Sequence, residues 1–159
     1  MIIYVNTNGD GLLGTYYNNN SFSAPSAGSR TDATINFNPW SGSQSSVGCG
    51  NDNFSVRWTG FIIPLYTETY TFYALPDDNF KIIVNSTEIM NTGYSGTEVS
   101  SSTISLTAGN IYTIQCDYVE NGGGENIYLK WSSASQAKEI VPQSQLFTAD
   151  PSPLITVSE

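Results

Sequence analysis

A chain of 159 residues is long enough to bury a substantial core within one domain, and 39% hydrophobic with 13% aromatic content describes a globular protein. Its charge is lopsided, with 14 acidic against 5 basic side chains and a net of -9, which leaves no basic stripe for nucleic acid and opposes an anionic membrane surface. Histidine is absent, so Ser-His-Asp and Cys-His catalysis, histidine-ligated zinc and a histidine general base are all excluded.

The ten tyrosines, fourteen glycines and abundant Asn, Ser and Thr, with few strong helix formers, point to an all-β domain. Cys49 and Cys116 stand too far apart for a zinc or redox motif, and a disulfide and two free thiols both remain open. No run approaches the ~20 apolar residues of a membrane span, so no membrane insertion is expected. The N-terminus lacks a basic segment followed by an apolar one, and the chain is expected to be one piece of a larger multidomain protein.

Residues 1–10 open as a short strand and end in turn residues. Asn6, Asn8, Asp10 and Gly11 echo the start of an EF-hand loop, but Tyr17 occupies the twelfth position, where that loop needs a bidentate glutamate. A turn is expected there. Residues 11–17 read as a strand whose glycines allow close backbone approach, 18–31 as a polar loop, and 33–37 as a short strand. Residues 41–53, rich in Ser and Gly, read as a surface loop.

The strongest strand signals follow. Phe54, Val56 and Trp58 share one face, residues 69–74 alternate, and Phe80, Ile82 and Val84 continue the pattern. Residues 91–102 read as a polar loop with Tyr94 as its only aromatic. Tyr112, Ile114, Cys116 and Tyr118 form the next inward face, with Cys116 a small core hydrophobe, and Ile127, Leu129 and Trp131 the one after. Residues 139–142 and 146–147 complete the domain, which is placed at 1–149, with a linker or tail at 150–159. Eight or more short strands with closely spaced turns imply an antiparallel β-sandwich or barrel, with Trp58 and Trp131 in its core.

Two stretches carry chemistry. Leu75-Pro76-Asp77-Asp78-Asn79 sets neighbouring carboxylates in a turn between two strands, where they repel unless a cation neutralises them. Calcium suits such a place, because it takes about 6–8 oxygen ligands. A solvated acidic turn is the plainer reading. The second stretch, Glu120-Asn121-Gly122-Gly123-Gly124-Glu125, places three glycines between good strands. They serve either an unusual turn or a loop whose carbonyls approach an ion.

Together these stretches resemble a known family. Residues 11–17, 52–60, Tyr70-Thr71-Phe72, Asp77-Asp78, residues 118–124 and Leu129-Lys130-Trp131 are similar, in order, to the protective-antigen fourteen-kilodalton domain. The likeness runs from about residue 10 to residue 147. That family is a β-sandwich or barrel found in bacterial toxins, glycosidases, yeast flocculins and adhesins. In its lectin members paired aspartates joined by a cis peptide hold calcium, and the ion binds vicinal sugar hydroxyls.

The resemblance implies metal ligands at Asp77 and Asp78, with the Asn121 side chain and carbonyls near Gly123 and Glu125 from the loop, and Glu120 as a rival. It implies a non-catalytic, calcium-dependent (Ca2+) carbohydrate-binding module of a secreted or cell-surface protein, a lectin or adhesin for glycans. Asp77, Asp78 and Asn121 would then meet the sugar, Tyr94 would offer a platform, and loops around residues 91–100 and 120–126 would set specificity. Two alternatives accompany it. One is a spacer stiffened by calcium; the other is glycosidase chemistry or an accessory domain of a glycosidase. Adjacent aspartates are poorly placed for carboxylates that must flank a bond about 5–9.5 Å apart. Glu68 and Asn85 depart from the family pattern by standing where glycines are usual.

Overall fold

Period-two alternation of large apolar side chains decides the architecture, because each strand can bury only one face. The computed structural model describes residues 8–152; the strand expected at residues 1–5 and most of the expected tail lie outside them. In chain order the first strands are β1 (Leu12–Tyr17), β2 (Gly28–Asp32), β3 (Asn36–Phe37), β4 (Phe54–Ile62), β5 (Glu68–Ala74) and β6 (Asn79–Val84). Then come β7 (Thr87–Thr92), β8 (Val99–Ser100), β9 (Ile104–Leu106), β10 (Tyr112–Glu120), β11 (Ile127–Ser132), β12 (Glu139–Ile140) and β13 (Leu146–Phe147).

Among the described residues these strands form two sheets, and every pairing is antiparallel. The larger runs β2-β1-β4-β10-β6-β7, with β13 on the far end of β4. The smaller runs β12-β11-β5-β8, with β3 on β11 and β9 on β5. Both inner faces supply one core. Tyr16, Phe54, Val56, Trp58, Phe80, Ile82, Cys116 and Tyr118 come from the larger sheet, and Tyr70, Phe72, Ile127, Leu129 and Trp131 from the smaller. Full burial of a large apolar side chain contributes about 1.5–3 kcal/mol, so this alternation supplies the main driving force. The expected all-β sandwich and the core positions of Trp58 and Trp131 are borne out.

Three stretches differ from the sequence reading. The loop expected at 18–31 contains β2, which has no apolar alternation because it is an edge strand held by polar contacts. Its Asp32 is buried; it accepts from the Tyr16 hydroxyl at 2.6 Å, the Trp58 indole at 2.8 Å and Arg30 Nε at 2.7 Å. Gly14 makes room for this network: a Cβ there would stand 2.8 Å from the Tyr16 ring and 2.9 Å from Asp32 Oδ2.

The stretch 41–53 carries a 3-10 turn, Ser43–Val47, with Gln44 fully buried, and Cys49 is buried as well. Residues 91–102 begin inside β7 and include β8, so that polar loop is shorter than expected. Both cysteines are free and buried, and burial raises both thiols above the ordinary range.

The two departures from the family pattern find local reasons. Asn85 and Ser86 take left-handed φ values of 50° and 62° in the β6–β7 hairpin, a two-residue turn with positive φ at both central positions that asparagine tolerates. Glu68 receives hydrogen bonds from Ser133 and from the backbone and hydroxyl of Ser135.

Candidate functional site

At one end of the sandwich the chain leaves β5 through Leu75 and Pro76, crosses Asp77 and Asp78, and enters β6. The Asp77–Asp78 peptide is cis, as the resemblance implies. Neighbouring loops fix this turn by its backbone. The Asp77 N–H donates to the Asn126 carbonyl at 2.9 Å, and the Asp78 N–H to the Val119 carbonyl at 3.1 Å. Asn126 Nδ2 donates to the Leu75 carbonyl at 2.8 Å, and the Ser95 N–H to the Pro76 carbonyl at 3.3 Å. The turn's backbone is thus held by backbone or amide partners and does not draw on its own carboxylates.

They do not stand alone. Glu120, the last residue of β10, is fully buried, and ligand atoms of Asp77, Asp78 and Glu120 all lie within 4.8 Å of one another. The Tyr118 hydroxyl is shared between Glu120 Oε2, at 3.0 Å, and the Asp77 carbonyl. One O–H donates to one acceptor at a time, so acceptors outnumber donors here. Glu120 Oε1 is buried without a partner, and so is Oδ1 of Asn126. No lysine or arginine among the described residues forms an ion pair with this cluster.

The electrostatic consequence is direct. Burial pushes the Glu120 carboxyl up to about 7, the Asp78 and Asp77 charges add to it, and hydrogen bonds from Tyr118 and the Gly122 backbone oppose it. Asp77 is raised by burial first, then by the Asp78 charge and their mutual hydrogen bond. A divalent cation would offset these penalties, because it would bring the positive charge and the coordination that the cluster lacks. The residues present fit calcium.

The glycine loop flanks the carboxylates. The Asn121 N–H donates to Asp78 Oδ2 at 2.7 Å, and a Cβ on Gly124 would stand 3.8 Å from Asp77 Oδ2. Gly123 takes φ 101°, a conformation that favours glycine, and its N–H donates to Asp52 Oδ1 at 3.1 Å. The Asn121 side-chain oxygen accepts from Asn20 Nδ2 at 3.0 Å, and the Glu125 carbonyl from the Trp40 N–H at 3.1 Å.

Of the expected site residues, Asp77 and Asp78 therefore converge, and Asn121 joins them through its backbone. Gly123 and Glu125 lie on the flanking loop, where the Gly123 N–H donates to Asp52 and the Glu125 carbonyl accepts one hydrogen bond from Trp40. Tyr94 stands 67% exposed on the loop that Ser95 ties to Pro76. Glu120, the rival, sits within the carboxylate cluster.

Sequence reasoning gave no supporting role to Asn20, Asp52 or Asn126, and read Tyr118 only as a core position. Their contacts span up to 101 positions, and the local signals were Asp52 and Tyr118 at the heads of two resembling motifs.

An antiparallel β-sandwich with an acidic loop cluster at one end is the class of protein defined by this fold and site. The chain belongs to the PA14 domain family, whose model matches residues 8–145. It is 41% identical over 147 residues to the anti-sigma-I factor RsgI3 of Acetivibrio thermocellus, covering 91% of this chain and 22% of that protein. A solved anti-sigma factor domain-containing protein superposes with TM-score 0.80 at 40% identity, covering 88% of this chain and 48% of the other. A structure described as the PA14 sugar-binding domain from RTX adhesin shares the fold, with TM-score 0.69 at 19% identity, 89% of this chain and 99% of the other. The chain thus spans about a fifth of that curated relative and about half of that solved chain. No helix among the described residues is long and apolar enough to cross a membrane.

Proposed function

We propose that this domain is a non-catalytic, calcium-dependent carbohydrate-binding module. The observation that carries the reading is the surplus of acceptor oxygens at Asp77, Asp78 and Glu120, with no cationic side chain to answer them. Asp77 and Asp78 would hold the ion from the turn, Glu120 from beneath, and Asn121, Gly123 and Glu125 from the glycine loop. Calcium, when bound, supplies coordination positions that two vicinal hydroxyls of a sugar can fill.

The chain's own residues set the rest. Asn121 orients Asp78 through its N–H, and Tyr118 positions Glu120. Asp52 pins the loop at Gly123, and exposed Tyr94 offers a ring face beside the turn. Crowding within 4.8 Å supports binding over hydrolysis, because a glycosidase pair brackets a bond at about 5–9.5 Å.

Likeness to a protein named as an anti-sigma-I factor favours a role within a larger regulator over adhesion. In either role the domain would meet glycans outside the cell. The affinity for a single sugar is expected to be weak, with multivalency adding strength. Calorimetry with monosaccharides tests the proposal. Binding that appears with calcium and vanishes with chelator supports it, and binding indifferent to calcium sinks it.

A further inference from the structure

A second feature lies beside the carboxylates, on the outer face of the larger sheet. Residues 18–25 fold over the end of β4. Asn19 Oδ1 accepts from the N–H groups of Ser21 and Ser23 at 3.1 and 3.0 Å. The Phe22 N–H donates to Ser55 Oγ at 3.2 Å, and Ser55 Oγ donates to the Asn19 carbonyl at 2.8 Å. This scaffold holds Phe22 at φ 56°, a left-handed conformation costly for a bulky aromatic. It also keeps the ring half-buried at the surface rather than in the core, with the Arg57 guanidinium 4.8 Å from the ring centroid.

The ring forms one wall of a groove of about 200 Å³. That is below the roughly 300–1,000 Å³ of drug-sized ligand pockets, and suits one small ring. Val119 adds apolar surface, and Asn79, Lys81 and Asn91 supply the polar rim. The Asp117 carboxylate is committed to Arg57, bidentate at 2.8 Å, and to Gln115, so it adds no unanswered charge. Asn79 is exposed, and its side chain hydrogen-bonds to none of the described residues. An apolar ring and a patch of aliphatic surface under a rim of amides match the two sides of a pyranose: the C–H face and the hydroxyl edge.

The groove adjoins the carboxylate site along the backbone. Asn79 follows Asp78 directly and pairs across the sheet with Val119, whose carbonyl receives the Asp78 N–H. We propose that this groove takes the second residue of an uncharged oligosaccharide, stacked on Phe22 and hydrogen-bonded by Asn79, while the first residue occupies the Asp77–Asp78 site. The inference rests on the calcium-dependent sugar reading and extends it from single sugars to glycan chains.

The experiment is calorimetry of the 159-residue chain in calcium with glucose, galactose, mannose and xylose, each against its own disaccharides. For a sugar that binds, at least one disaccharide is expected to bind about 3- to 10-fold tighter than the monosaccharide, the range of one aromatic contact or one net hydrogen bond. Phe22→Ala and Asn79→Ala should each bring that ratio back towards one, and Phe22→Trp should keep it. Asn79→Ala decides the matter if Phe22→Ala fails to fold, because the Asn79 side chain holds nothing in place. A ratio of one in the unaltered chain, or a ratio that survives both substitutions, overturns the groove while leaving the calcium site standing. Binding of no sugar at all overturns the calcium reading and the groove with it.

Discussion

Asp78→Asn separates a cation site from an ordinary acidic turn, because only a cation site makes the effect of the substitution depend on calcium. The substitution keeps an oxygen able to accept the Asn121 N–H and removes one of three acidic groups whose ligand atoms lie within 4.8 Å of one another. At that separation each like-charge pair costs about 1 kcal/mol in water and about 3–4 kcal/mol at an effective dielectric of 20. The partly exposed aspartates lie toward the lower figure.

In chelator, therefore, Asp78→Asn should be as stable as the unaltered chain or about 1 kcal/mol more stable, a rise of about 2–4 °C in Tm for a domain of this size. In calcium at 100 times its Kd the unaltered chain should gain about 2.7 kcal/mol, or about 5–10 °C, and the variant only a small fraction of it. Thermal unfolding by circular dichroism in both conditions measures the crossing. A variant destabilised equally with and without calcium would refute the reasoning, and so would an unaltered chain whose Tm ignores calcium.

Three further outcomes follow from the fold. Trp58→Phe should cost about 1–3 kcal/mol in urea unfolding, since it removes the 2.8 Å bond to the buried Asp32 carboxylate and leaves the ring packing. Gly14→Ala should cost about 1–3 kcal/mol, because its methyl would overlap the Tyr16 ring and Asp32 Oδ2; an unchanged urea midpoint would show that the network yields without strain. Glu98 is buried enough to raise its carboxyl, but hydrogen bonds from Lys138 and Tyr128 and the charges of Lys138 and Lys130 outweigh that and hold it below the ordinary value of 4.5. Its contribution to stability is therefore present above pH 4.5 and lost as pH falls through its lowered value. Glu98→Gln should narrow the difference in urea midpoint between pH 7 and pH 3.

How much of this was legible in the sequence follows the range of the interactions involved. Strands such as β4, β5 and β10 alternate, and alternation is local, so their faces and the core positions of Trp58, Phe72 and Tyr118 could be read directly. Asp77 and Asp78 were visible because two neighbouring carboxylates between alternating runs are electrostatically odd. Strand β2 was not, because Gly28-Ser29-Arg30-Thr31-Asp32 pairs as an edge and buries a carboxylate, which no apolar pattern announces. Cys49 and Gln44 looked like loop residues because the chain around them is polar, yet they fill space beneath a 3-10 turn. Glu120 could be no more than a rival ligand, because its full burial at the end of β10 depends on Tyr118 and on a turn more than forty positions away. The pinning of Gly123 by Asp52, 71 positions distant, lies still further beyond local pattern.

A crystal structure with calcium and a bound monosaccharide tests the central claim most directly. One ion ligated by Asp77 and Asp78 is expected, with two vicinal sugar hydroxyls completing its coordination. Carboxylates without an ion at millimolar calcium, or a sugar seated away from them, would contradict it.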